Sequence, residues 1–375
     1  MNRYIFNECV YFGCDARNCL PEELRKRGFK KVFLVTDETI IKCGVSEKIT
    51  SIFDQNNIKY SVFSDIKPNP TTQNVKDGLK ALKKAKADVI VALGGGSVID
   101  TAKAIAIIKE NKEHADVLSL AGAVETKNRC FPLIAIPTTS GTAAEVTINY
   151  VITDENTKRK LVCIDPHDGP IMSIVDSELM RTMPASLTAS TGMDALTHAI
   201  ESLITKGATD MSDMFALEAI RTIARYLERA YKNGDDLEAR EKMAYAQYVV
   251  GMGFSNVGLG IVHSMAHALG GQKDIAHGTA NAMLLSTVMK YNAESPSKPK
   301  YRLIAECFGI DCSDKTDDEC VKVAVKEVGK LAKKVGIPKS LAEVGVKEED
   351  LDVLSRDAFI DICTGGNPRQ TSIED

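Results

Sequence analysis

The sequence predicts an α/β domain with a parallel, doubly wound sheet, followed by an all-helical domain. Short apolar runs alternate with helical patterns in the first half, whereas long helical patterns with few strand signals fill the second half. The chain has 375 residues, which fits two domains because a typical domain holds about 100–200 residues. We place the boundary after Thr182, so that the predicted domains are residues 1–182 and 183–375.

Three apolar runs predict the strands of the sheet: Lys31–Asp37, Ala87–Leu93 and Phe131–Ile136. Runs of this length are typical of strands that are covered on both faces. Apolar residues at helical spacing in Val75–Ala87 and Ile99–Lys109 predict the intervening helices. Strands that alternate with helices favour a parallel sheet.

The second domain is predicted to consist of helices. The clearest patterns cover Met211–Tyr231, Ala239–Val250 and Lys315–Val335.

Composition and charge exclude several classes of protein. Lys and Arg number 47 against 51 Asp and Glu, which gives a formal net charge of −4. The chain has no basic blocks and no apolar run of about 18 residues, so nucleic acid and membrane are not expected as partners. The first residues lack a signal-peptide core, from which we expect a cytoplasmic location. None of the ten cysteines forms a C-x-x-C pair, which argues against a thiolate zinc site.

A glycine-rich turn follows the second predicted strand. The residues are Gly94-Gly95-Gly96-Ser97, and a helix is predicted to begin near Val98. Glycines let the backbone approach a phosphate, and a helix N-terminus offers free N–H groups. The pattern is not the G-x-G-x-x-G fingerprint of Rossmann domains, and a glycine-rich turn without a ligand is the alternative interpretation.

Two more polar groups follow strands. Asp37 ends the first strand, and the hydroxyl cluster Thr138, Thr139, Ser140 and Thr142 follows the third. Open α/β sheets bind ligands at the carboxyl ends of their strands, and an acid there can accept hydrogen bonds from a ribose diol. Together these residues favour a dinucleotide, with NAD preferred over NADP, although a lone acid after a strand is often only a helix cap.

The second domain carries a candidate metal site. Asp194 and His198 stand four residues apart, as do His263 and His267, and His277 follows. Residues at this spacing share one face of a helix. Imidazoles with a carboxylate suit a divalent metal such as Fe²⁺ or Zn²⁺. Five candidates exceed the four ligands of a tetrahedral site, and the spacing does not say which one lies outside it.

These motifs together resemble the iron-dependent (group III) alcohol dehydrogenase family. The resemblance covers nearly the whole chain and rests on Gly94–Ser97 with Asp100, Pro137–Glu145, Asp194 with His198, and Gly260–His277. It implies a dehydroquinate synthase-like fold with a Rossmann-like NAD-binding domain. The segments Lys160–Asp168, Gly253–Gly260 and Cys363–Arg369 are most similar to the members that interconvert lactaldehyde and 1,2-propanediol.

The resemblance also implies roles for single residues. Asp194, His198, His263 and His277 match the positions of the metal ligands, and His267 matches a proton-relaying histidine. The positions implied to contact NAD(H) are Asp37, Asn69, Gly95, Gly96, Ser97, Asp100, Thr138, Thr139, Thr142, Asn149 and Lys160. Phe254 and Cys363 match positions that line the substrate pocket.

The expected enzyme transfers hydride between a small alcohol or diol and NAD in an interdomain cleft. The resemblance implies Fe²⁺, which Zn²⁺ can replace, and a homodimer or larger homo-oligomer. One alternative is a 1,3-propanediol or general primary-alcohol dehydrogenase of the same family. More remote are a non-catalytic binding protein and a dehydroquinate synthase-like lyase, which needs cations that the segment from Gly251 to Gly270 lacks.

Overall fold

The computed structural model describes all 375 residues, and its contacts divide the chain into two units. The first unit comprises residues 1–139 and 143–182, and the second comprises 140–142 and 183–375. The first is an α/β unit with a parallel sheet and the second contains only helices, so the predicted fold class is confirmed. No single helix meets the length and hydropathy needed to cross a membrane, and one sharply bent pair of helices meets them only jointly.

The first unit contains nine strands. They are β1 (Val10–Phe12), β2 (Lys31–Val35), β3 (Lys59–Phe63), β4 (Val89–Gly94), β5 (Gly122–Ala123), β6 (Leu133–Pro137), β7 (Asn149–Asp154), β8 (Arg159–Ile164) and β9 (Met172–Val175). Six of them form a parallel sheet in the order β1-β9-β6-β4-β2-β3. The three predicted strands correspond to β2, β4 and β6, which lie side by side within it.

Helices cover both faces of this sheet. They are α1 (Leu20–Lys26), α2 (Glu38–Lys42), α3 (Val45–Gln55), α4 (Thr72–Ala85) and α5 (Gly96–Glu110). Alternate residues of β4 belong to different cores: Ile90 and Ala92 pack with residues of α4 and α5, whereas Val89 and Val91 pack with residues of α1 and α3. Because both faces are buried, these strands read as continuous apolar runs.

A second, three-stranded sheet was not predicted. Its order is β5-β8-β7, and β7 and β8 form an antiparallel hairpin. Along β7 only alternate residues are buried, among them Tyr150 and Ile152. A half-buried strand alternates apolar and polar residues and has no continuous apolar run. The sequence pattern that predicted β2, β4 and β6 is therefore absent from β7.

The second unit contains eight α-helices. They are α6 (Ala185–Ile204), α7 (Asp210–Lys232), α8 (Leu237–Val257), α9 (Ile261–Lys273), α10 (His277–Asn292), α11 (Lys300–Cys307), α12 (Asp317–Lys334) and α13 (Leu351–Phe359). The three predicted helices correspond to α7, α8 and α12. Helix α8 continues past its predicted end to Val257 and stops at Gly258, whose φ of 83° lies in the left-handed region that glycine tolerates.

A buried arginine fixes the beginning of α6. The Arg240 guanidinium donates to Thr188 Oγ1 at 2.6 Å and to the carbonyl oxygens of Met183 and Gly234 at 3.1 and 3.0 Å. These bonds satisfy a cation that is only 1% exposed, as a buried charge requires. Helix α6 is thereby tied to α8, and α6 carries two of the candidate metal ligands.

Candidate metal centre and cofactor site

The structure brings four of the five metal candidates together. Asp194 and His198 from α6, His263 from α9 and His277 at the start of α10 each offer one ligand atom, and these atoms lie within 4.8 Å of one another. The Asp194 Oδ1 atom is 3.6 Å from His277 Nε2 and 4.0 Å from His263 Nε2. Three of the residues are buried and His277 is half-buried.

This cluster fits a divalent metal ion. Metal bonds of about 2.0–2.2 Å in a tetrahedral site place ligand atoms about 3.3–3.6 Å apart, close to the observed separations. Burial lowers the pKa of His198 to about 3, although the charge of Asp194 opposes the shift. The imidazole is therefore neutral at pH 7 and can use a nitrogen lone pair for a metal. One carboxylate with three imidazoles suits Fe²⁺ or Zn²⁺.

Asn281 contacts three of the four clustered residues and was not predicted. Its Nδ2 atom donates to Asp194 Oδ1 at 2.6 Å and lies 3.2 Å from His263 Nε2 and 3.1 Å from His277 Nε2. Asn281 follows His277 by four residues on α10, so the i, i+4 spacing that indicated the histidines could also have found it.

Glu201 contacts the side of His263 that faces away from Asp194. Its Oε2 atom is 2.6 Å from His263 Nδ1, and its Oε1 atom accepts from the Val262 N–H at 2.8 Å. Burial raises the pKa of Glu201 to about 7, opposed by backbone hydrogen bonds from α9. A divalent cation held by His263 would favour the carboxylate form. Sequence reasoning missed this residue, although it lies three positions after His198 on the same helix.

His267, the fifth metal candidate, belongs to a different group. Its Nδ1 atom is 2.9 Å from Asp361 Oδ2, and Cys363 completes a cluster of three residues. Burial alone would raise the pKa of Asp361, but the charge and hydrogen bond of His267 outweigh it and hold that pKa at about 2. The His267 ring stacks on His277 with centroids 5.2 Å apart. Asp361 was not among the predicted residues.

The two residues expected in the substrate pocket lie beside these clusters. The Phe254 ring stacks on His198 with a centroid distance of 4.2 Å and an angle of 5°. The Cys363 backbone N–H donates to Asp361 Oδ1 at 2.9 Å. Burial raises the pKa of the Cys363 thiol well above its usual range, so the side chain is uncharged at neutral pH.

The glycine turn of the first unit lies close to Thr139 and to the first turn of α5. A Cβ atom on Gly95 would lie 3.3 Å from the side chain of Thr139, and one on Gly94 would lie 2.5 Å from Val98. Gly96 and Ser97 form the first turn of α5. Thr138 Oγ1 is buried and has no hydrogen-bond partner in the protein. A close backbone approach beside an unpaired hydroxyl fits the phosphate or ribose oxygens of a dinucleotide.

The remaining cofactor candidates also make contacts of their own. Asp37 caps α2 by accepting from the Ile40 N–H at 2.9 Å. Asn69 has a left-handed φ of 55°, and its Oδ1 atom accepts from Lys160 Nζ at 2.7 Å. The structure therefore brings Asn69 and Lys160 together. Asp37 is a helix cap, which is the alternative interpretation that the sequence left open.

Asp100 and Asn149 are linked through the strand β7. Asp100 Oδ2 accepts from the Val151 N–H at 3.0 Å, and the Asn149 carbonyl accepts from Lys103 Nζ at 2.9 Å. Burial raises the pKa of Asp100 to about 6, opposed mainly by the charge of Lys103. These bonds hold β7 against α5. Thr142, the last candidate, belongs to the second unit.

Comparison with protein families identifies the chain. Residues 7–177 match the model described as iron-containing alcohol dehydrogenase, and residues 188–375 match the C-terminal model of the Fe-containing alcohol dehydrogenase family. The chain belongs to the iron-containing alcohol dehydrogenase family. It is therefore an oxidoreductase of a family that contains iron, and its four-residue cluster is a candidate site for that metal.

Individual relatives align with all or nearly all of this iron-containing alcohol dehydrogenase. Lactaldehyde reductase of Escherichia coli (strain K12) is 48% identical over 374 residues, which is 100% of this chain and 97% of the relative. The 1,3-propanediol dehydrogenase of Citrobacter freundii is 40% identical over 98% of this chain and 95% of its own length. A crystal structure of 1,3-propanediol oxidoreductase has a TM-score of 0.95 at 39% identity, covering 100% of this chain and 97% of that one.

Gly278 sets the distance between α10 and α6, and we expect its replacement to disturb the centre. A Cβ atom there would lie 2.4 Å from the Ser190 carbonyl oxygen and 3.2 Å from Asp194 Cβ. Gly278→Ala would push His277 away from Asp194, so we expect it to weaken metal binding and to lower the free energy of unfolding by about 1–3 kcal/mol. Urea denaturation and metal analysis measure the two effects.

Gly329→Ala on α12 is the matched control. A Cβ atom at Gly329 would meet only Ser286 Oγ at 3.5 Å, an ordinary contact. Alanine is the better helix former, so this variant should be neutral or stabilised by up to about 1 kcal/mol. Equal losses of stability and metal in both variants would contradict the steric argument.

Proposed function

We propose that the protein is an NAD(H)-dependent oxidoreductase that interconverts lactaldehyde and 1,2-propanediol, with Fe²⁺ as its metal. The observation that carries the proposal is the four-residue cluster of Asp194, His198, His263 and His277, in a chain 48% identical throughout to a lactaldehyde reductase. In this proposal residues 1–182 form the NAD-binding domain and residues 183–375 form the metal-binding catalytic domain.

The four clustered residues would hold the metal ion, and the glycine turn would hold the cofactor. When bound, the metal lowers the pKa of a substrate hydroxyl or polarises a carbonyl, and the nicotinamide exchanges hydride with the substrate carbon. Zn²⁺ suits the same nitrogen and oxygen ligands and competes with Fe²⁺ for them.

Residues of the first unit are proposed to orient the dinucleotide. The Asp37 carboxylate accepts from the adenosine ribose hydroxyls and repels a 2′-phosphate, which favours NAD(H) over NADP(H). Gly95, Gly96 and Ser97 place backbone N–H groups of α5 against the pyrophosphate. The other proposed contacts come from Asn69, Asp100, Thr138, Thr139, Thr142, Asn149 and Lys160.

His267 is proposed to move the proton of the reaction. Asp361 holds the Nδ1 side of its ring at 2.9 Å, which leaves Nε2 as the atom that takes a proton from the alcohol or returns it to the product. Phe254 and Cys363 are proposed to line the pocket. The stacking of Phe254 on His198 and the place of Cys363 beside His267 support this assignment.

A second candidate is a 1,3-propanediol dehydrogenase. It is supported by the TM-score of 0.95 to a 1,3-propanediol oxidoreductase and differs only in where the substrate carries its second hydroxyl. The expected cytoplasmic location and the expected homodimer or larger assembly stay predictions.

Substrate preference tests the proposal. Anaerobically purified, Fe²⁺-loaded enzyme is assayed for NADH oxidation with lactaldehyde, 3-hydroxypropionaldehyde and butyraldehyde. We expect the highest kcat/KM with lactaldehyde. A preference for 3-hydroxypropionaldehyde would support the second candidate, and no activity in metal-loaded enzyme would contradict both.

A further inference from the structure

We propose that Glu201 is a positioning residue that fixes the tautomer of His263 and thereby sets the affinity of the centre for its metal. The inference rests on the proposed function, because it takes His263 as a metal ligand. Glu201 itself is not a ligand in this proposal, since its carboxylate lies on the Nδ1 side of the ring and the cluster lies on the Nε2 side.

The hydrogen bonds around His263 allow one tautomer. A neutral imidazole carries one N–H, and a carboxylate can only accept hydrogen bonds. With Glu201 as the carboxylate, the form that a cation held by His263 favours, Oε2 at 2.6 Å from Nδ1 requires the hydrogen on Nδ1. The lone pair is then on Nε2, the atom that faces Asp194.

The contacts of Asn281 agree with the same tautomer. Its amide reaches the Asp194 carboxylate at 2.6 Å, so the group at that position must be the NH₂ donor. The same Nδ2 atom lies 3.2 Å from His263 Nε2. A donor at this distance is compatible with a lone pair on Nε2. The NH₂ group has two hydrogens for three neighbours, the third being His277 Nε2 at 3.1 Å, so the assignment of the tautomer rests on Glu201.

The Glu201 carboxylate is held in place from several sides. Its side chain is 2% exposed. Oε1 accepts from the Val262 N–H at 2.8 Å. This hydrogen bond caps α9, because the N-cap residue Gly260 has no side chain that could do so. A Cβ atom on Gly260 would lie 2.8 Å from Oε1. The missing side chain of Gly260 thus provides the space that Glu201 occupies.

The fixed tautomer should raise metal affinity. Without Glu201, a fraction of the His263 rings would carry the hydrogen on Nε2. Those rings would have to change tautomer before Nε2 could bind the metal ion. Carboxylate partners of metal-binding histidines typically contribute a factor of about 10–100 in affinity or activity.

Glu201→Gln tests the proposal with little change in shape. The amide oxygen can still accept from the Val262 N–H, but the NH₂ group then faces His263 Nδ1 and stabilises the opposite tautomer. We expect Co²⁺ titration of the metal-free protein, followed by visible absorption, to show a dissociation constant about 10–100 times higher than for the wild type. At saturating metal, most of the activity should return.

Asp176→Asn is the matched control. Asp176 is also a buried carboxylate that accepts backbone N–H groups, including that of Glu178 at 3.1 Å, but it contacts no imidazole. This variant should lose stability and keep the wild-type affinity for Co²⁺. An equal loss of affinity in both variants would show a general structural effect and overturn the inference.

The remaining outcomes separate the role of Glu201 from the proposed function. Wild-type Co²⁺ affinity in Glu201→Gln would overturn the role of Glu201 and leave the proposed function intact. Failure of the wild-type protein itself to bind Co²⁺ would overturn the proposed function as well. If Glu201→Gln does not fold, Gly260→Ala displaces the same carboxylate; it should lose affinity too, and an unchanged affinity would overturn the proposal.

Discussion

We expect His263→Ala to lose the metal and lower kcat/KM roughly 10³-fold, whereas His267→Ala keeps the metal and lowers kcat about 10²–10⁴-fold. His263 Nε2 faces the Asp194 carboxylate inside the cluster, and a metal ion typically contributes several kcal/mol to catalysis. His267 instead pairs with Asp361, and a positioned acid–base group accounts for the expected loss of turnover.

Metal analysis and steady-state kinetics on the same preparations separate the two roles. His114→Ala is the control, because the His114 ring contacts Ser119 Oγ at 3.1 Å and belongs to neither cluster. It should match the wild type in both measurements. Equal metal loss in His263→Ala and His267→Ala would contradict the assignment of His267 to a separate role.

The sequence predicted the five metal candidates because helical spacing is a local property. It could not separate His267 from the other four, since His263 and His267 share one face of α9. The separation comes from Asp361, which is 94 positions away in the chain and meets His267 only in the folded protein. Glu201 was missed for the same reason: its partners in α9 are about 60 positions distant.

The strands also differ in how well the sequence predicted them. Strands β2, β4 and β6 could be predicted because both of their faces are buried and their apolar runs are continuous. The hairpin of β7 and β8 is half-buried and alternates, so its signal is weaker. The helix-cap and ribose-contact interpretations of Asp37 could not be separated from sequence, because both require the same acid after the same strand.

Asp37→Asn separates those two roles and should relax the preference for NAD(H). Asparagine caps a helix about as well as aspartate, so the bond to the Ile40 N–H and the stability of the protein should persist. Loss of the negative charge removes its repulsion of a 2′-phosphate, an interaction of about 2 kcal/mol at partly solvated sites. We therefore expect kcat/KM for NADPH relative to NADH to rise about 10- to 100-fold.

Two further variants separate the charge of Asp37 from its helix cap. Asp37→Ala should show the same change of cofactor preference and also lose about 1 kcal/mol of stability, because it removes the cap. Asp116→Asn alters another capping aspartate of the first unit, which accepts from the Leu118 N–H at 3.0 Å, and it should leave cofactor preference unchanged. If Asp37→Asn discriminates against NADPH as strongly as the wild type does, Asp37 is a helix cap alone and the selectivity for NAD(H) must come from elsewhere in the first unit.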